Sequence, residues 1–119
     1  MQIQVNSNHT MQTGETFERW ANTELNHALE RFKNDVTRVE VHMSDENSDK
    51  SADQKKCVME ARLSHHEPLA VNHHAGSQDE AFRGARDKLK RVLEHTLGKL
   101  RDTHLHRESI RREPDLDAV

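Results

Sequence analysis

Residues 75–100 read AGSQDEAFRGARDKLKRVLEHTLGKL, and this stretch decides the fold. Ser77-Gln78-Asp79-Glu80 has the form of a capping box, in which the serine hydroxyl accepts from the backbone N–H three residues on while the glutamate reaches back. Gly76 before it permits a sharp turn. Beyond the box, Phe82, Ala85, Leu89, Val92, Leu93, Thr96 and Leu100 fall within one sector when successive residues are turned by about 100°. The spacing predicts a helix from the box to about residue 103. Upstream, Pro68 closes a short turn, and Leu69, Val71, His73 and Ala75 follow at every second position. The helix is therefore entered from a strand.

Working outward, the same period of two recurs. Cys57, Met59, Ala61 and Leu63 alternate with Val58, Glu60 and Arg62, and Val39, Val41 and Met43 alternate with Arg38, Glu40 and His42 near 36–44. The polar run between them (DENSDKSADQK, 45–55) reads as a hairpin loop, and such short links favour an antiparallel meander. At the start of the chain, QIQVNSN (2–8) places Ile3 and Val5 on one face of a first strand. Phe17, Ala21, Leu25, Ala28 and Phe32 then form a helical stripe over 15–32, widened by Trp20 and Leu29. The expectation is a single α+β domain over residues 1–103, ordered β-α-β-β-β-α, with a four-stranded sheet and two helices on one face. Residues 104–119 lack a sustained apolar period and are expected to form a disordered tail.

Composition narrows the function. With 119 residues there is room for one domain, and with 32% hydrophobic against 33% charged residues its core must be small. No apolar run reaches the roughly 18–20 residues of a membrane helix, and no signal-peptide pattern opens the chain. A cytoplasmic protein without membrane contact is expected. Net charge is -3, but it is unevenly spread. Residues 1–80 carry eight Lys and Arg against fourteen Asp and Glu, whereas residues 81–112 carry ten against four. An acidic body with one basic stretch points to an anionic partner met by that stretch.

The individual candidates sort by position. Cys57 shares the alternating set assigned to the core, where a thiol acts as a small hydrophobe. No base lies at a spacing that would activate it, and no catalytic constellation appears elsewhere, so neither an enzyme nor a small-molecule substrate is expected. Ten histidines invite a metal reading. However, His65-His66 and His73-His74 are adjacent pairs, which a strand sends to opposite faces. Hairpins folded about residues 50 and 66 put His42, Val58 and His74 in one row, leaving the two histidines about 9.6 Å apart. That is too far for a shared ion, so no metal or other cofactor is expected. The phenylalanines lie on core stripes and tyrosine is absent, which argues against base stacking on the sheet. The basic residues of the second helix form two strips. Lys88, Arg91, His95 and Lys99 share one face, and Arg83, Lys90 and Arg101 share the other flank. Such rows can track phosphates of structured RNA. A merely solvated basic face has the same spacing.

With this order of elements in place, the chain resembles the ribosome hibernation-promoting factor and ribosome-associated inhibitor family, the sigma-factor modulation proteins. Residues 75–100 carry the resemblance, with Asp87, Lys88, Leu89, Arg91 and Leu93 matching the family's Asp-Lys-Leu-x-Arg-x-Leu helix. The opening Met-Gln-Ile-x-Val strand and the aromatic Phe32 closing the first helix match as well. The likeness implies a short-type translation inhibitor induced under stress. It would bind rRNA of the small ribosomal subunit where tRNA and messenger RNA sit, through Lys88, Arg91 and Lys99, with His95 where members often carry lysine. Glu24 and His27 stand where members often place first-helix lysines, which implies weaker phosphate binding. The alternative is a divergent member that binds a protein or itself.

Overall fold

The computed structural model describes residues 1–7, 13–45 and 55–117, with side chains through residue 98. The chain runs β1 (Gln2–Ser7), α1 (Glu15–Ala28), a 3-10 turn (Glu30–Phe32), β2 (Val36–Asp45), β3 (Lys55–Leu63), β4 (Leu69–Ala75) and α2 (Gln78–Asp117). The strands lie side by side in the order β1-β2-β3-β4. β1 and β2 are parallel and are joined through α1, the kind of crossover a parallel pair requires. β2, β3 and β4 form the antiparallel meander. The β-α-β-β-β-α order and the two helices against one mixed sheet are as the periodicities predict. The polar hairpin loop expected over 45–55 falls for the most part outside the described residues.

The registers stack the apolar alternation into one face. Ile3 lies opposite Val39 and Val5 opposite Val41, Val41 lies opposite Met59 and Met43 opposite Cys57, and Met59 lies opposite Val71. α2 covers β3 and β4, while α1 lies against β1. Leu25, Leu29, Phe82, Leu89 and Leu93 fill the space between layers, and no polar or charged residue is buried among the described residues. Each such side chain contributes about 1.5–3 kcal/mol relative to exposure. The helices meet through aromatics, with Trp20 5.0 Å and Phe17 5.8 Å from Phe82 between ring centroids. Half of the capping box is formed, the Glu80 N–H donating to Ser77 Oγ at 3.2 Å.

Three local expectations are corrected. First, α1 ends at Ala28, and Phe32 reaches the core from the 3-10 turn, where it is 2% exposed. A tighter turn is the short way to bring a second aromatic inward before β2 begins. Second, the backbone of α2 runs on to Asp117, past residue 103. Leu105, Arg107, Glu108, Arg111 and Arg112 are good helix formers, and an apolar stripe is needed for docking onto a core rather than for helix formation. Third, the row expected to be His42–Val58–His74 is His42–Val58–Asn72, and His74 lies opposite Lys56. A two-residue shift keeps every side chain on its face, so alternation alone could not exclude it. The end of β3 is held on the β2 side, Leu63 opposite Val36 and the Ser64 N–H donating to the Asp35 carbonyl at 3.0 Å. β4 therefore begins opposite Ala61.

Candidate nucleic-acid interface

α2 presents its cations on two flanks because its apolar sector is pressed on the sheet between them. On the flank turned to α1, the Arg83 guanidinium lies 5.5 Å over the Trp20 ring. One turn on, Arg86 reaches Glu24 at 3.0 Å and Asp87 at 3.1 Å. Further along, Glu94 accepts Arg31 of the 3-10 turn at 3.1 Å. Lys90, between Arg86 and Glu94 in the helical sequence, is exposed. On the opposite flank, Lys88 Nζ donates to the Asn72 carbonyl of β4 at 2.9 Å, and Arg91 and His95 follow it at helical spacing, both exposed.

The described cations of the two expected strips lie on separate flanks of α2. One follows the outer edge of β4 through Lys88, Arg91 and His95, and the other lies over the seam between the helices through Arg83 and Lys90. Lys99 and Arg101 sit on the α2 backbone, and their side chains fall outside the described residues. Lys90, Arg91 and His95 make no hydrogen bond or ion pair with any described residue. Lys88 spends one of its three protons on Asn72 and keeps the others for an acceptor in solution.

Glu24 changes meaning once the helices are docked. Read along α1 it is an anion at a position where the family resemblance leads one to expect a cation. In the fold its carboxylate is part-buried against Arg86, so it neutralises a neighbour instead of facing outward. Arg31 escaped the sequence reading for the converse reason. It lies beyond the last turn of α1, and nothing in local spacing shows that Glu94, more than sixty residues away, stands beside it.

The other candidates carry no chemistry of this kind. Cys57 is fully buried and loss of solvent pushes its thiol up to about 12 from 9.0, so the thiolate is suppressed. Among the described residues no three His, Cys, Asp or Glu side chains are grouped to hold a metal ion. On the open face of the sheet Glu40 and Glu60 are cross-strand neighbours. Arg38 compensates Glu40 at 2.9 Å and Arg62 compensates Glu60 at 3.3 Å. No described helix is long and apolar enough to cross a membrane.

A family model described as Sigma 54 modulation protein / S30EA ribosomal protein matches residues 3–101, from β1 well into α2. The chain belongs to this family. Two solved structures share the S30EA-family fold with it. The N-terminal domain of Protein Y from Thermus thermophilus superposes with a TM-score of 0.65 at 13% identity, covering 81% of this chain and 99% of that one. A ribosomal subunit interface protein from Coxiella burnetii superposes with a TM-score of 0.68 at 10% identity, covering 82% and 99%. No curated protein matches the chain.

Proposed function

We propose that this S30EA-family chain is a non-enzymatic, ribosome-associated factor that binds rRNA of the small subunit through α2 and occludes the channel of tRNA and messenger RNA. The observation that carries the reading is the strip Lys88, Arg91 and His95, with Arg91 and His95 free of any described partner, on a family member whose structural neighbours include a ribosomal subunit interface protein. A row of cations on a rigid helix neutralises phosphates without reading bases, so binding depends on the shape and charge of the RNA. Translation stops by occupancy, and no bond is made or broken.

The test is co-sedimentation of the purified chain with ribosomes at rising salt. Three or four neutralised phosphates give a slope of about -3 in log affinity against log salt. Lys88→Glu with Arg91→Glu abolishes the association, and Arg91→Glu alone weakens it while leaving the Lys88 bond to β4 intact. Circular dichroism checks that the helices persist. Lys90→Glu reports on the seam strip separately. Association that survives the double reversal at every salt concentration overturns the reading. One observation favours the alternative of a protein partner: part of the seam between the helices is neutral, since Glu24 cancels Arg86 and Arg31 cancels Glu94, which leaves Arg83 and Lys90 as its exposed cations. Failure to sediment with ribosomes even at low salt supports that alternative.

A further inference from the structure

We propose that two copies of this chain pair through β1, antiparallel about a two-fold axis normal to the sheet, to make one continuous sheet with all four helices on the same side. The sheet has two edges, β1 and β4, and they are treated differently. At β4, Lys88 caps the Asn72 carbonyl, and a lysine over an edge strand is a common guard against pairing. β1 reads Gln-Ile-Gln-Val-Asn-Ser, with no charge, no proline and no glycine. Among the described residues only β2 pairs with it. Its outer row of backbone N–H and C=O groups is a template for another strand.

The second copy suits this edge better than an unrelated strand does. Inward-facing residues must meet inward-facing residues if the helices are to stay on one side. The register with the longest overlap sets Gln4 opposite Gln4 of the second copy, Ile3 opposite its Val5, and Gln2 opposite its Asn6. Apolar then meets apolar and amide meets amide along the whole strand. Ile3 and Val5 are only half-buried, unlike Val39 and Val41 beside them. A groove of about 520 Å³ lies between them and Glu18, Asn22 and Thr23 of α1. The same two-fold lays the two α1 helices antiparallel, which opposes their dipoles favourably. It also brings Glu18 and Arg19, which line the groove beside Gln4, toward the same two residues of the other copy. The strip of Lys88, Arg91 and His95 lies along the far edge, so pairing leaves it open, and the inference stands whatever α2 binds.

Sedimentation velocity of the full chain over a concentration series tests the pairing. The wild type is expected to show a reversible monomer–dimer equilibrium. Gln4→Lys sets two lysines opposite one another at the axis, each beside the Arg38 that now donates to Gln4, and weakens the dimer about fivefold; Gln4→Glu, whose charge Arg38 offsets, weakens it less. An equimolar mixture of the two variants regains the wild-type association, which a merely damaged strand does not do. Independently, Gln4→Cys forms a disulfide-linked dimer on mild oxidation, because the two new thiols face each other and Cys57 is buried. Ala70→Cys, exposed on β4, does not. A chain that stays monomeric throughout, a dimer indifferent to both charge variants, or cross-linking of Ala70→Cys as fast as Gln4→Cys overturns the proposal.

Discussion

Gly84→Ala sets helix propensity against packing, and the structure decides the sign. In the exposed interior of a helix the substitution stabilises by about 0.8–1 kcal/mol, because alanine has less backbone freedom to lose. At Gly84 a Cβ would stand inside contact distance of the His73 ring atoms Cδ2 and Nε2, and 2.5 Å from Cγ. The obstacle is the body of the imidazole, not a flexible tip. His73 is on the helix-covered face of β4, and its cross-strand neighbour is the fully buried Cys57, so the ring has no room to withdraw beneath α2. Overpacking of this kind costs about 1–3 kcal/mol. Set against the propensity gain, Gly84→Ala is expected to destabilise by about 1 kcal/mol, and at most about 2. In a His73→Ala background the obstacle is gone, and the same substitution should stabilise by about 1 kcal/mol. Urea unfolding of the four proteins of this cycle measures the sign change directly. If Gly84→Ala stabilises the wild type, or destabilises both backgrounds equally, the contact does not govern that position.

Three further outcomes follow from the packing and the seam. Leu89→Ala removes a fully buried side chain where α2 meets the sheet and should cost about 2–5 kcal/mol in denaturant melts; a change below about 1 kcal/mol would mean the site collapses around it. Cys57 has its folded pKa raised to about 12 from 9.0, so on alkalinisation the unfolded chain loses its proton first. The stability is whole below pH 9 and declines above it, by about 1.4 kcal/mol at pH 10, and that slope disappears in Cys57→Ala. Glu24→Lys sets a cation against Arg86, 22% exposed at 3.0 Å from the present carboxylate, and should destabilise by about 1–2 kcal/mol. Thermal melts of Glu24→Lys beside Glu24→Gln read the added repulsion.

Much of the fold is legible because its signals are local. The alternation in β2 and β3, the capping box at Ser77 and the stripe from Phe82 to Leu93 each concern residues within a turn or two of one another, where backbone geometry sets the period. The two cation strips of α2 are legible for the same reason, since a helix of known apolar face has known flanks. The sequence is silent where two periods agree. It placed His42 and His74 on one face of the sheet but misjudged their row, because a shift of two residues leaves every face unchanged.

What the chain determined by itself is therefore the order of elements, the inward face of each, and the concentration of positive charge between residues 81 and 112. Tertiary structure alone decided which charges remain available. Glu24 reads as a lone surface anion on α1 until Arg86 is found 3.0 Å away. Gly84 reads as a weak point in α2 until His73 is found above it. Lys88 reads as one more cation of a row until it is seen donating to the Asn72 carbonyl of β4. Such pairings join residues from 11 to 62 positions apart. Periodicity fixes the direction in which a side chain leaves its own element, but the neighbour it meets there depends on how the elements dock, and no local pattern encodes that.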